Sequence, residues 1–197
     1  MIQYHYIAGQ TPLDEAEKRD LIPSLITRED LDRWEQENIL EARKWLMRKA
    51  TLTRQDVLSE DFLLELHKRM LNQVWKWAGS YRRTDKNIGA PYYEIPTQLH
   101  QLLGDARYWQ EHGSFPPCEM AVMLHHRLVK IHLFANGNGR HARLCADAYI
   151  AKAGEAPVSW GGNGDLGKPE ELRRRYIAAL QAADGGDYEP LIAFATS

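Results

Sequence analysis

Hydrophobic positions along most of the chain recur at helical spacing, which predicts a protein built mainly of helices. The clearest example spans residues 118–131, where four aliphatic residues share one stripe: Ala121, Leu124, Leu128 and Ile131. Further apolar residues flank this stripe, so the helix is apolar over much of its circumference and should lie at the centre of the fold. A second helical pattern covers residues 140–151.

Capping residues indicate where other helices begin. Thr11 followed by Pro12 predicts a short helix with Thr11 as its N-cap. Thr27 predicts the start of a helix that runs to about Lys49, and Ser59 opens the next one. Three more helices are predicted, over residues 98–112, 169–183 and 188–195.

Residues 80–96 lack helical periodicity and combine proline, glycine, tyrosine and isoleucine, a pattern that suits a small β-hairpin. The predicted fold is therefore an all-α, mainly helical bundle with one small hairpin. We divide the chain into an N-terminal arm with a short helix, residues 1–26, and a helical domain, residues 27–197.

The helix over residues 27–49 has a polar residue in its apolar stripe. The stripe consists of Leu31, Trp34, Asn38, Ala42 and Trp45. We expect Asn38 to pack inward, which would bring the neighbouring Glu37 close to the protein interior. An unpaired carboxylate there is costly, so Glu37 should have a cationic partner.

Composition narrows the class of protein. The 197 residues fit one domain, and 44% hydrophobic with 26% charged residues is ordinary for a soluble globular protein. A net charge of −2 gives no electrostatic reason to expect nucleic acid, and no apolar run is long enough to span a membrane. Only two cysteines, Cys118 and Cys145, are present, which favours a reducing compartment and a cytoplasmic location.

Residues 132–143 hold the clearest candidate chemistry. The turn Gly137-Asn138-Gly139 opens the predicted helix, and a helix N-terminus presents unpaired N–H groups that bind anions. Arg140 and Arg143 add permanently charged guanidinium groups, which can bond to two phosphate oxygens at once. His132 precedes the turn and can accept a proton near neutral pH. The stretch therefore predicts a base beside a phosphate-binding turn.

The stretch His132-Leu133-Phe134-Ala135-Asn136-Gly137-Asn138-Gly139-Arg140-His141-Ala142-Arg143 also resembles a known pattern. It is similar to the Fic (Fic/DOC) family motif, His-x-Phe-x-(Asp/Glu)-Gly-Asn-Gly-Arg-x-x-Arg, at every position but one. Upstream, Trp77-Ala78-Gly79 and Lys86-Asn87-Ile88-Gly89 resemble the family's flap region. The likeness covers approximately residues 30–195, and the flanking sequence resembles the subgroup called mobile mystery protein B.

The resemblance implies a Fic-like fold and a protein adenylyltransferase, which moves AMP from ATP to a Ser, Thr or Tyr hydroxyl of a target protein. By that likeness His132 would take the hydroxyl proton. Five residues would bind the nucleotide: Gly137, Asn138, Gly139, Arg140 and Arg143. The flap, Lys86-Asn87-Ile88-Gly89, would register the target backbone by strand addition.

Asn136 is the one departure from the family motif. The family's acid at this position holds Mg²⁺, and an amide oxygen is a neutral ligand where magnesium prefers carboxylate and phosphate. Two alternatives follow. One is a phosphotransferase similar to the Doc branch, although that branch alters the second glycine of the turn and Gly139 is intact. The other is a catalytically weak nucleotide-binding or protein-binding module.

Some Fic proteins carry an inhibitory helix with the motif (Ser/Thr)-x-x-x-Glu-(Gly/Asn). Glu37-Asn38 matches the second half of this motif, whereas Arg33 occupies the hydroxyl position. The resemblance thus implies an inhibitory helix over residues 27–49 with Glu37 as the regulatory residue. Its expected partner is Arg143, which would otherwise hold the γ-phosphate.

Overall fold

The computed structural model of the chain describes residues 11–24, 27–162 and 170–197. These residues form a mainly helical fold, as predicted. The helices in chain order are α1 (Glu15–Arg19), α2 (Arg28–Leu46), α3 (Lys49–Arg54), α4 (Glu60–Leu71), α5 (Ile95–His112), α6 (Pro117–Ile131), α7 (Asn138–Ala153), α8 (Glu170–Asp184) and α9 (Glu189–Thr196). None of the helices within the described residues is long and apolar enough to cross a membrane.

Helix α6 lies at the centre, as its nearly continuous apolar surface predicts. Its most extensive contact is with α7, and it also packs against α5 and α9. Both helices are buried over most of their length, including two histidines on α6, His125 and His126. Because the connection between α6 and α7 is the motif 132–137, the central packing of these two helices fixes the position of that loop.

Two of the three predicted caps are confirmed. Thr27 caps α2 and Ser59 caps α4, each accepting a hydrogen bond from a backbone N–H in the first turn of its helix. The prediction for Thr11 is wrong, because α1 begins only at Glu15 and its cap is Asp14. Asp14 and Glu17 form a complete capping box, which satisfies two N–H groups at once.

Helix α2 buries three of the five residues in the predicted stripe, and Glu35 and Leu46 are buried in place of Trp34 and Trp45. The buried residues are Leu31, Glu35, Asn38, Ala42 and Leu46. Trp34 is 42% exposed. Asn38 does pack inward, where its side chain donates to the Arg69 carbonyl at 2.9 Å and accepts from the Gln73 N–H at 3.0 Å. Glu37, however, is exposed, so the expectation that it approaches the interior is wrong.

The predicted hairpin does not form, since residues 80–91 adopt turns and bends and residues 92–94 form a short 3₁₀ turn. The backbone of this segment bonds instead to the start of the motif. Arg82 N donates to the Leu133 carbonyl at 3.0 Å, and Ala90 N donates to the Ile131 carbonyl at 3.2 Å. Backbone N–H groups near both ends of this segment therefore bond to carbonyls of the motif and its preceding residue, not to each other.

The first described residues cross the surface of the helical domain, and we call residues 11–22 the N-terminal strap. Leu13 is buried in the core. The Trp77 indole N–H donates to the Glu17 carbonyl at 3.2 Å, and Ile22 N donates to the Val74 carbonyl at 2.8 Å. The boundary between an arm 1–26 and a domain 27–197 stays a prediction, although the strap packs tightly against that domain.

Three buried histidines connect the helices around the motif. His67 on α4 contacts the motif backbone, His125 on α6 bonds to the Tyr176 hydroxyl at 2.9 Å, and His141 on α7 bonds to the Leu63 carbonyl at 2.9 Å. Burial lowers the pKa of His125 to about 3 and the pKa of His141 to about 4. The pKa of His67 also falls well below its ordinary value, mainly through burial.

These shifts predict that the protein loses stability as the pH falls below about 6.5, the ordinary histidine pKa. Between that pH and the lowered values, the unfolded chain takes up protons that the folded chain excludes, so acid favours unfolding. Each buried histidine should contribute about 1.4 kcal/mol per pH unit in this window. Urea unfolding at several pH values between 7 and 4 measures the slope. His125→Gln should make it shallower by about one proton, and an unchanged slope would contradict the assignment.

Candidate active site

His132 stands at the C-terminal end of α6 in an unusual backbone conformation. Its φ is +60°, in the left-handed region, where residues other than glycine are uncommon. It closes the helix by donating its N–H to the Leu128 carbonyl at 3.1 Å. A backbone held in a sparsely populated region needs support from its surroundings.

Arg82 supplies that support. Its side chain is buried, and among the residues that the structure describes its ion-pair partner is Asp85, whose carboxylate lies 3.8 Å from Nη1. The guanidinium donates to four backbone carbonyls: His132 at 2.7 Å from Nε, Thr84 at 2.8 Å from Nη1, Ile131 at 3.4 Å from Nη2, and Ala90 from Nη2. One side chain thereby fastens residues 84–90 onto the start of the motif.

The predicted flap residues lie beside His132. Gly89 has φ +106°, and a Cβ at this position would stand 2.6 Å from the Cβ of His132. Only glycine permits this approach. Asn87 and Ile88 are exposed at the surface. Lys86 differs, because its side chain is only 4% exposed and pairs with Glu17 of the strap.

The motif loop is braced from within. The side chain of Asn138 accepts from the Phe134 N–H at 2.9 Å and donates to the Phe134 carbonyl at 2.8 Å, which closes the loop across four residues. His67 stacks on Phe134 with 3.6 Å between the ring centres. Its Nδ1 accepts from Gly79 N, so its Nε2 carries the proton and donates to the Asn136 carbonyl at 3.0 Å.

The braced loop presents the N-terminus of α7. Gly137 caps the helix with φ +79°, and the first intrahelical bond runs from His141 N to the Gly137 carbonyl. The N–H groups of Asn138, Gly139 and Arg140 therefore have no carbonyl one turn earlier in the helix. With the positive end of the helix dipole, these three groups can bind phosphate oxygens. The side chain of Asn138 is committed to the loop, so its contribution comes from the backbone.

The residues around the turn do not fit a magnesium site. The Asn136 amide oxygen folds back and accepts from the Gly137 N–H at 2.5 Å. That oxygen is neutral and already bonded, whereas magnesium favours carboxylates. Among the described residues, no three His, Cys, Asp or Glu side chains gather where they could hold a metal ion. Asn136 thus serves the turn in this structure.

The two arginines of the motif have different surroundings. Arg140 Nη2 lies 2.9 Å from Glu35 Oε2, and the Glu35 side chain is only 8% exposed. The other carboxylate oxygen of Glu35 accepts from the Trp75 indole N–H at 2.8 Å. Arg143 Nε bonds to the Gly139 carbonyl at 3.4 Å. The acid that α2 places against the motif is therefore Glu35, and its partner is Arg140; the expected Glu37–Arg143 pair is replaced by this one.

The imidazole of His132 has a defined tautomer. Nδ1 lies 3.3 Å from the Val129 carbonyl, which can only accept, so Nδ1 carries the proton. Nε2 is then the acceptor, and it lies 2.8 Å from the Thr11 hydroxyl oxygen. Burial lowers the pKa of His132 to about 4, with smaller contributions from the positive charges of Arg82 and Lys86. The ring is neutral at pH 7, and its Nε2 lone pair faces a hydroxyl.

Four residues of this site were not found by sequence reasoning: Thr11, Glu35, His67 and Arg82. Their partners lie far away in sequence, and only the fold brings them together. The sole local signal was Glu35, which stands four residues after Leu31 and three before Asn38, on the stripe that packs inward.

Comparison with known proteins identifies the family. Residues 57–150 match the model of the Fic/DOC family. The chain is 31% identical over 153 residues to protein adenylyltransferase Fic of Drosophila grimshawi, a match that covers 76% of this chain and 29% of that protein. The protein of the same name from Aedes aegypti is 31% identical over 150 residues, 74% of this chain and 28% of that protein. The chain thus belongs to the Fic/DOC family through the domain that carries the motif.

The fold is also found in solved structures. Fic-1 (aa134–508) from C. elegans superimposes with a TM-score of 0.65 at 27% identity, covering 92% of this chain and 52% of that one. The similarity therefore reaches beyond residues 57–150 to nearly the whole chain. The chain spans less than a third of the length of the curated relatives that it matches.

The position of Arg82 predicts that its loss releases the flap. Arg82→Met keeps the aliphatic stem but leaves buried carbonyls without a donor, and each such group costs about 1–3 kcal/mol. The free energy of unfolding should fall by at least about 2 kcal/mol, and the Ala90 N–H should exchange with solvent faster. Urea unfolding and amide hydrogen exchange measure the two effects. Arg83→Met, at the exposed neighbouring position, is the matched control; equal effects in both variants would contradict the role of Arg82.

Proposed function

We propose that this protein transfers AMP from ATP to a hydroxyl side chain of a protein. The observation that carries the proposal is the contact of the neutral His132 Nε2 with a hydroxyl, 2.8 Å away, beside the N-terminus of α7. A base bonded to a hydroxyl is the arrangement that nucleophilic attack requires. The names of the Drosophila and Aedes relatives, both protein adenylyltransferase Fic, support the same activity.

Each group then has a defined task. The N–H groups of Asn138, Gly139 and Arg140 bind phosphate oxygens, and the guanidinium groups of Arg140 and Arg143 neutralise the leaving pyrophosphate. His132 Nε2 takes the hydroxyl proton as the hydroxyl oxygen bonds to the α-phosphorus. The bond from the α-phosphorus to its bridging oxygen breaks, and pyrophosphate leaves.

The target would approach along the flap. Asn87 and Ile88 are exposed next to Gly89, which itself touches His132. A target segment that bonds to this backbone in an extended conformation would bring a Ser, Thr or Tyr side chain to the base. Arg82 bonds to the Thr84 and Ala90 carbonyls on either side of the flap and to the His132 carbonyl. The flap is therefore held in place against the motif when the target binds.

The proposal assigns no protein ligand to magnesium, because the Asn136 side chain does not fit the metal.

The two thiols, Cys118 and Cys145, are both free, which supports a reducing compartment such as the cytoplasm. The likeness to the mobile mystery protein B subgroup stays a prediction. A Doc-like phosphotransferase is the alternative activity: transfer of label from α-labelled ATP supports adenylylation, whereas transfer from γ-labelled ATP would indicate phosphorylation.

His132→Ala tests the base. Removing a general base typically costs about 10²–10⁴-fold in rate. Transfer of the α-label should fall by that factor, while ATP affinity, measured by calorimetry, should stay within a few fold, because His132 faces the hydroxyl rather than the phosphates. His100→Ala, at an exposed position on α5, is the control and should behave as the parent protein. Equal losses of ATP binding and turnover in His132→Ala would argue against this role.

We further propose that α2 restrains the activity through Glu35. Its carboxylate is buried, held by Trp75, and paired with the Arg140 guanidinium at 2.9 Å. While that pair exists, Arg140 cannot turn fully toward the phosphates of ATP. A misplaced phosphate can lower the rate by about 10²-fold. The regulatory role predicted for Glu37 therefore passes to Glu35, the acid that reaches the motif.

Glu35→Gln and Glu37→Gln separate the two assignments on one helix. Glu35→Gln keeps the size of the side chain but removes the charge that holds Arg140, so α-label transfer should rise by roughly 10- to 100-fold. Glu37→Gln changes an exposed acid two residues away and should match the parent. Adding Arg140→Ala to Glu35→Gln should abolish the gain. Activation by Glu37→Gln alone would return the regulatory role to Glu37.

A further inference from the structure

The N-terminal strap delivers a hydroxyl to the catalytic histidine of the same chain. Thr11 is 7% exposed, and its hydroxyl oxygen lies 2.8 Å from His132 Nε2, although 121 residues separate the two in sequence. The hydroxyl does not serve α1, which begins at Glu15 and is capped by Asp14. Its partner is the base itself.

The direction of this hydrogen bond is fixed by chemistry. His132 Nδ1 donates to the Val129 carbonyl, so Nε2 has only a lone pair to offer. The Thr11 hydroxyl must therefore donate its proton to Nε2. This is the pairing that a base and its nucleophile make before proton transfer.

Ion pairs and hydrogen bonds hold the strap over the flap. Lys86 pairs with Glu17, and the two side chains are 4% and 12% exposed. The Thr84 hydroxyl donates to Asp14 at 3.0 Å. Leu13, two residues after Thr11, is buried in the core. Contacts on the carboxyl side of Thr11 thus limit how far its hydroxyl can move from His132.

We propose that Thr11 is an acceptor of AMP, so that this protein adenylylates its own N-terminal strap. The inference rests on the proposed function, because it uses the same base and the same ATP. The Thr11 hydroxyl oxygen bonds to the α-phosphorus of ATP, its proton passes to His132 Nε2, and pyrophosphate leaves with the bond to the α-phosphorus. The product is a phosphodiester between Thr11 and AMP.

Two consequences follow from the geometry. First, the reaction is intramolecular, and a well-oriented intramolecular group reacts as if present at about 10⁵ M or more. Self-modification should then be first order, with a rate constant independent of protein concentration. Second, the modified oxygen has no proton to donate, so once His132 has released the transferred proton to solvent, Thr11 can no longer bond to the Nε2 lone pair. Modification would therefore remove the hydroxyl that competes with a target at the base.

The test follows self-labelling of the full chain by α-labelled ATP and locates the label by peptide mapping. Thr11→Val removes the hydroxyl at nearly constant volume, and Thr11→Ser restores a hydroxyl. Thr53→Val, at an exposed threonine on α3, is the matched control. Each change is made in the parent and in Glu35→Gln, so that restraint by α2 does not hide the reaction.

We expect the label on the peptide that contains Thr11, a loss of at least tenfold in Thr11→Val, retention in Thr11→Ser and no change in Thr53→Val. Label on another residue, unaffected by Thr11→Val, would overturn the inference while leaving adenylylation in place. A rate constant that grows with protein concentration would overturn transfer within one chain. If neither this chain nor any protein in an added lysate takes up α-label, both the inference and the proposed function fail.

Discussion

The site depends on one buried cation, Arg82, which donates its hydrogen bonds to backbone carbonyls while the nearest ion-paired carboxylate, Asp85, stands 3.8 Å away. Arg82 satisfies carbonyl oxygens on both sides of the junction between the flap and the motif, and it bonds the carbonyl of His132 itself. A buried guanidinium is costly unless its donors are used, so the carbonyls and the charge stabilise one another. Through this contact, the left-handed backbone of His132 and the close approach of Gly89 become parts of one rigid unit.

The turn proposed to bind phosphate is likewise held by side chains that bond to backbone groups, but here the side chains are neutral. Asn138 closes the loop onto Phe134, and His67 holds the loop from α4 while it stacks on the Phe134 ring. Asn138 makes both of its side-chain hydrogen bonds to the loop backbone, and His67 donates one to the loop while it accepts another from Gly79 N. The backbone N–H groups at the start of α7 are thereby left to bind a ligand, which places ligand recognition on the main chain and structural support on the side chains.

Two segments that precede the motif in the chain reach the site at different residues. Helix α2 brings a carboxylate to Arg140, and the N-terminal strap brings a hydroxyl to His132. The first contact engages a group proposed to bind phosphate, whereas the second engages the proposed base. Glu35 contacts Arg140 and Thr11 contacts His132, so the two contacts have no residue in common. A substitution can therefore change the restraint on phosphate binding without changing the occupation of the base, and the reverse.

Local chemistry determined much of this protein. The motif 132–143, the central position of α6 and the caps at Thr27 and Ser59 were predicted because helix periodicity and capping act over a few residues. Tertiary contacts decided the rest. Hydrophobicity favoured Trp34 over Glu35 for burial, but Arg140 and Trp75 stabilise the buried acid. Likewise residues 80–91 bond to the motif instead of forming a hairpin, and Thr11 meets His132 across 121 residues, because those partners exist only once the chain has folded.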